Sequence, residues 1–176
     1  MKTTLARFAA ALGALLFAGS ALAAGAELQL DKWPAERARN LAALQNGARL
    51  FSNYCIGCHS AVGPDGNPTG QQPLTGGWNI AAAEGFGFMG SMVVENLTPG
   101  GKLASYSDGE IFRVLRHSID RDGHRLAFMA FLPYGQMSNE DTESIIAYLR
   151  TQQPVRSTAS TGDSLNFLGM LLYGSG

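Results

Sequence analysis

Cys55, Cys58 and His59 fall within one run of five residues, Cys55-Ile56-Gly57-Cys58-His59, and the chain has no other cysteine. Positions three apart on one helical turn face the same way. Each thiol can therefore form a thioether to one vinyl group of a single porphyrin, and the imidazole that follows is placed to offer a ring nitrogen to the iron. This spacing is the signature of covalent haem attachment. A thioredoxin-like dithiol shares the C-x-x-C but takes a strand before it, whereas a helix precedes it here. A structural zinc site takes four ligands, and there is no second Cys pair to complete one.

The elements that must position this motif are readable on both sides of it. From Asn40 the apolar residues Leu41, Leu44, Ala48, Phe51 and Cys55 recur at helical spacing, so a helix runs into the motif with one buried face. Gly47 lies inside that helix, where glycine is unfavourable by roughly 1 kcal/mol relative to alanine; a close helix contact would justify it. Residues 61–78 are rich in Pro and Gly and cannot form a regular element. Beside a haem motif, such a loop is expected to wrap the porphyrin. The Ala, Gly and Met-rich stretch 81–92 is ambiguous, and Asn96-Leu97-Thr98-Pro99-Gly100-Gly101 reads as a turn. Ser107-Asp108-Gly109-Glu110 is a capping box that opens a helix to about Ile119, with Ile111, Phe112, Leu115 and Ile119 on one face. Ser138-Asn139-Glu140-Asp141 opens another through Arg150, with Ile145, Tyr148 and Leu149 turned inward and Pro154 beyond its end.

At the start, Lys2 and Arg7 bracket the approach to an apolar run from Phe8 to Phe17, followed by Ala21-Leu22-Ala23-Ala24. This reads as a secretory signal peptide over 1–23, too short for a stable membrane span, and it directs the protein to the periplasm. Residues 24–40 form a polar leader. The formal net charge is −1, more acidic once Lys2 and Arg7 are removed, which is not the balance of a nucleic-acid-binding protein. In an oxidising compartment the two cysteines would pair unless something else claims them. The length suits a single core. Residues 155–176 read as a Ser/Thr/Gly linker and an apolar tail, whose run Ser164–Tyr173 would span about 15 Å as a helix, half the hydrocarbon thickness of a bilayer. The tail either folds back on the domain or docks on a partner or membrane surface.

With a helix entering the C-x-x-C-H motif and another closing the domain after a Met-bearing loop, the chain resembles the class I c-type cytochromes over roughly residues 43 to 153. Gly47, Phe51, Cys55, Cys58 and His59 match the opening of that family, and Ile145, Ala147, Tyr148 and Leu149 match its final helix, whose aromatic packs on the first helix at the glycine. The stretches Asn96-Leu97-Thr98-Pro99, Tyr106-Ser107-Asp108-Gly109-Glu110-Ile111 and Arg121-Asp122-Gly123-His124-Arg125-Leu126 look closest to the cytochrome modules that serve periplasmic dehydrogenases, although Tyr106 stands where that pattern has Trp. The resemblance implies a mainly α fold, a small helical cytochrome c domain over 41–154 wrapped around one covalent haem c. It also implies iron ligation by His59 and by Met129, which lies nine residues before Ser138, with Met137 as packing. His124 is the rival ligand, and His117 is expected to face solvent. Pro73 matches the family segment whose proline carbonyl holds the other ring nitrogen of the ligating histidine. The implied function is single-electron transfer, as the haem subunit of an oxidoreductase complex between a donor dehydrogenase and a downstream acceptor, rather than catalysis by the chain itself. No G-x-S-x-G or P-loop argues for another chemistry. A gas-binding or peroxidatic haem protein is the alternative, if the sixth coordination position is open.

Overall fold

The structure, a computed structural model, describes residues 40–173. The expected signal peptide and the leader as far as residue 39 lie outside the described residues. In chain order the elements are α1 (Leu41–Tyr54), α2 (Ile56–His59), α3 (Ile80–Ala83), β1 (Gly90–Val93), α4 (Asp108–His117), α5 (Asn139–Arg150), β2 (Gly162–Leu165) and α6 (Phe167–Tyr173). Short 3-10 turns lie at Gly87–Met89, Lys102–Ser105, Met129–Phe131 and Pro133–Gln136.

Three side chains set where the long helices begin. Asn40 Oδ1 accepts from the N–H groups of Ala42 and Ala43 at 3.0 and 3.3 Å, which satisfies donors that the first turn leaves free. Ser107 Oγ accepts from the Glu110 N–H, and Glu110 Oε2 accepts from the Ser107 N–H at 2.7 Å, a closed capping box. Ser138 Oγ accepts from the Asp141 N–H at 3.0 Å. The helix opened by Ser107 stops at His117 and not at Ile119, because Ser118 turns into the left-handed region at φ 54°. Ile119 then pairs with Arg125 in an isolated bridge.

The first and last long helices cross at Gly47. A Cβ there would stand 1.9 Å from the Ser144 carbonyl oxygen and 2.9 Å from Tyr148 Cβ. One turn further along, the rings of Phe51 and Tyr148 meet at 5.6 Å between centroids. Around this crossing Phe51, Ile145, Ile146 and Leu149 are buried, and α4 adds Ile111, Phe112 and Leu115 to the same core. Arg150 ties the end of α5 to the approach to α4: its Nε pairs with Asp108 Oδ1 at 2.8 Å and its Nη1 donates to the Leu103 carbonyl at 2.9 Å.

The Pro/Gly-rich loop is laced to the motif and to the chain beyond it. The Gly76 N–H donates to the His59 carbonyl at 3.1 Å, Gly77 N–H to the Val94 carbonyl at 2.9 Å, and Leu97 N–H to the Leu74 carbonyl at 2.9 Å. The ambiguous stretch 81–92 resolves into α3, a 3-10 turn and β1.

The end of the chain differs from the free linker expected of it. Val155 is held by the Asn96–Thr98 turn: its carbonyl accepts from Asn96 Nδ2 and Thr98 Oγ1, both at 2.9 Å. The Asn96 side chain is buried in that duty. Beyond it β2 pairs antiparallel with β1, with Asp163 opposite Met92. Helix α6 then folds back on the domain, seated by Gly169, where a Cβ would stand 2.3 Å from the Met89 carbonyl oxygen. Its outer residues Phe167, Leu168, Met170, Leu171 and Leu172 are exposed. No helix among the described residues is long and apolar enough to cross a membrane.

The Gly47 contact yields a first prediction. Because the neighbour is backbone, Gly47→Ala is already destabilising, contrary to the mild effect expected of a merely crowded side-chain contact. Overpacking of this kind costs about 1–3 kcal/mol or more, and Gly47→Leu costs more still. Thermal melts of the two variants beside the parent check this; a Gly47→Ala protein that melts with the parent would show that the helices do not cross there.

Candidate haem-binding site

An apolar cleft runs between α1, α4, α5 and the turn that carries Met129. Cys55, Cys58, His59 and Met129 all line it. So do Phe51, Leu103, Ile111, Leu115, Ile145 and Leu149, which belong to the main hydrophobic core. The cleft is therefore the open side of the core, with the sulfur and nitrogen ligand candidates set into its walls.

The motif takes its shape from a break in helical geometry. The first helix ends at Tyr54, Cys55 bridges, and α2 winds Cys58 and His59 onto the cleft. The Cys58 and His59 N–H groups both donate to the Cys55 carbonyl, at 3.1 and 3.0 Å, which fixes the turn. Burial pushes the Cys55 thiol up to about 12, with the neighbouring Cys58 adding to it. Cys58 is raised as well, by burial and then by the charge of Glu84. These are sulfurs in an apolar setting rather than exposed thiolates.

His59 is held at two points. Its carbonyl accepts from Gly76, and its Nδ1 lies 3.1 Å from the carbonyl oxygen of Glu95. A carbonyl can only accept, so Nδ1 carries the proton and Nε2 is left as the lone-pair nitrogen. Burial lowers the pKa of the ring, against the opposing pull of Glu95, and so favours the neutral form that a metal requires. The acceptor is Glu95, not Pro73. The Pro73 carbonyl is taken by the Ala61 N–H at 2.9 Å, and Pro73 does not line the cleft. The loop that Pro73 belongs to still serves His59, through Gly76.

Of the methionines, Met129 and Met92 line the cleft, whereas Met137 packs on the core outside it. Met89 is buried in a second small cluster with Ala81, Met92 and Ala127. The rival histidines are elsewhere. His117 is exposed on α4. The His124 side chain is 75% exposed, with Nδ1 3.6 Å from Asp120 Oδ2, and it does not reach the cleft lining.

Three residues at the site had no counterpart in the sequence reading. Glu95 offers its carbonyl to His59, and its carboxylate pairs with Lys102 at 2.7 Å and accepts from Thr161 Oγ1. Tyr134 lines the cleft and donates its hydroxyl to the Tyr54 carbonyl at 2.7 Å. It thereby pins the turn after Met129 to the end of α1. Burial, then the nearby sulfurs of Cys55 and Cys58, push its phenol up to about 12, so it stays a donor. Asp163, from β2, lines the cleft and accepts from the Ala127 N–H at 2.9 Å. Only Tyr134 had a sequence signal, as an aromatic beside the Met-bearing loop.

Two thiols on one turn, an imidazole with its proton fixed on the outer nitrogen, and a thioether in a largely apolar cleft form a donor set that fits a covalently held iron porphyrin. The comparisons with known proteins agree with that chemistry. The chain is 32% identical over 101 residues to the fructose dehydrogenase cytochrome subunit of Gluconobacter japonicus, an alignment that takes in 56% of this chain and 18% of that protein. Residues 44–153 match the profile of the Cytochrome c family. That match spans α1, the motif, the Met129 turn and α5, and the chain accordingly belongs to the cytochrome c family, whose haem c is bound covalently and carries electrons.

Proposed function

We propose that this chain is a periplasmic electron carrier with His59 and Met129 as axial ligands, working as the electron-transfer subunit of an oxidoreductase. The observation that carries the reading is the convergence of His59, oriented by Glu95, and Met129 on one apolar cleft. The haem supplies reversible one-electron exchange at iron. The chain's residues do the rest: Cys55 and Cys58 fasten the ring, His59 presents Nε2, and Met129 presents a weakly donating thioether that raises the reduction potential relative to a second histidine. The hydrocarbon wall of Phe51, Leu115, Ile145 and Leu149 disfavours the extra charge of the oxidised state. With both axial positions filled no open site is left for a substrate, so the chemistry belongs to a partner.

The periplasmic placement is supported by the signal-like residues 1–23. The subunit role is supported by the likeness to a cytochrome subunit of a dehydrogenase and by the Asn96–Pro99 and Tyr106–Ile111 stretches. The partner meets the apolar outer face of α6 beside Phe131, which is 69% exposed and belongs to the same turn as Met129.

Two predictions test the site. Replacing both Cys55 and Cys58 by Ala abolishes covalent haem, because no other sulfur of this kind exists in the chain. A haem-stained denaturing gel loses its band; a band that survives overturns the attachment assignment. For the ligands, Met129→His lowers the reduction potential markedly, and Met129→Ala removes the far-red sulfur–iron absorption band of the ferric protein and lets carbon monoxide bind the ferrous one. Met137→Leu does neither. Loss of the band in Met137→Leu with retention in Met129→Ala would exchange the two methionines, and carbon monoxide binding by the parent would favour the gas-binding alternative.

A further inference from the structure

The turn that carries Met129 is the least self-supporting wall of the cleft. It is a single 3-10 turn, Met129–Phe131, followed directly by another at Pro133–Gln136. None of its residues is fully buried. Such a turn has few internal hydrogen bonds, so its position is set by what grips it from outside. Within the stretch matching the family, Tyr134 grips its far end through the Tyr54 carbonyl. The residues on either side of Met129 are gripped by a part of the chain beyond residue 153, outside that match.

On the near side, Asp163 Oδ2 accepts from the N–H of Ala127, two positions before Met129, at 2.9 Å. On the far side, the ring of Tyr173 meets the ring of Phe131, two positions after Met129, edge-on at 5.6 Å. The segment that joins these two grips is itself anchored. β2 is paired along its length to β1, where Asp163 lies opposite the cleft-lining Met92. The helix after it is seated on Gly169 against the Met89 carbonyl, with Asn166 bonding the Phe88 carbonyl and the Gly169 N–H. A rigid piece of chain thus touches the turn once before the methionine and once after it.

We propose that Gly162–Tyr173 is a clasp on the Met129 turn, in which Asp163 is a positioning residue that keeps the thioether against the iron. The proposal rests on Met129 being the axial ligand. Its physical content is an equilibrium between a closed turn, with sulfur bound, and an open one, with the sixth position accessible. Both grips are made only in the closed state, so each shifts that equilibrium toward closure. The apparent affinity of any outside ligand is its intrinsic affinity scaled by the open fraction. Loosening the clasp therefore appears as tighter binding of imidazole, with no new contact made. A hydrogen bond from a backbone N–H to a carboxylate is among the stronger kinds, and its loss is expected to raise imidazole affinity about tenfold.

The test uses the full-length ferric holoprotein and four variants: Asp163→Ala, Asp163→Asn, Tyr173→Ala and Met129→Ala. Asp163→Ala is expected to weaken the sulfur–iron band and to bind imidazole about tenfold more tightly than the parent. Asp163→Asn keeps an oxygen to accept from Ala127 and is expected to stay close to the parent. Tyr173→Ala, at the other grip, moves the same two readouts in the same direction and serves where Asp163→Ala does not accumulate. Were the clasp merely part of the general fold, these variants would lower the melting temperature and leave both the band and imidazole affinity at parental values, and that result overturns the proposal. If Met129→Ala keeps the band, the ligand assignment itself is wrong, an outcome separate from a failed clasp.

Discussion

Where α1 crosses α5, the missing side chain of Gly47 lets the two backbones approach until the Ser144 carbonyl stands 1.9 Å from where a Cβ would be. The rest of the cleft depends on that separation. The first helix delivers Cys55 and, through α2, Cys58 and His59, while α5 delivers Ile145 and Leu149 to the facing wall. A wider crossing would part the motif from that wall and open the cleft to water. Glycine is a poor helix residue, and this position shows what the helix receives in return: a close contact backed one turn on by the Phe51–Tyr148 ring pair.

The same crossing explains why the site and the core cannot be separated. Phe51, Leu115, Ile145 and Leu149 belong to the hydrophobic core and to the cleft lining alike. Their inner atoms pack on one another, and their outer atoms face the space a porphyrin fills. Haem binding is accordingly linked to folding, since anything bound by the folded state alone stabilises it. A covalent link makes that stabilisation permanent. It also gives a reason for loops rather than long helices over much of the chain: the porphyrin supplies apolar surface that a chain this size would otherwise have to build from side chains.

Much of this was legible in the sequence because it is written in side chains at short range. Asn40, Ser107 and Ser138 mark the three helix starts through their own oxygens. The Cys-Cys-His spacing names the chemistry, and Gly47 announces a close contact. The features that escaped are those that use backbone atoms or distant partners. The acceptor for His59 Nδ1 is a main-chain carbonyl 36 residues away, and any residue at position 95 could offer one. Sequence could not separate it from the carbonyl of Pro73. Residues 157–164 look like a linker because they are small and polar, yet a strand such as Gly162–Leu165 is held by its backbone ladder to β1 and needs no apolar alternation. The early end of α4 turns on one serine in the left-handed region, a conformation serine seldom adopts.

If His59 and Met129 hold the iron as proposed, the two faces of the porphyrin site are built on different principles. The histidine face rests on helix: α2 carries His59, whose carbonyl accepts from Gly76 and whose Nδ1 faces the Glu95 carbonyl 36 residues on. Met129 has no such helix under it and sits in a 3-10 turn. A bare turn is pinned by Tyr134 to the end of α1 and flanked by contacts from Asp163 and Tyr173. A turn with few internal hydrogen bonds lies nearer the low-stability end of a fold than a motif wound into helix. Under the proposed His59 and Met129 ligation, the axial bond expected to yield first under heat, denaturant or a competing ligand is the one on the methionine side. Under that proposed ligation the reduction potential depends on the sulfur staying bound, and so on the contacts that chain beyond residue 153 makes with the turn.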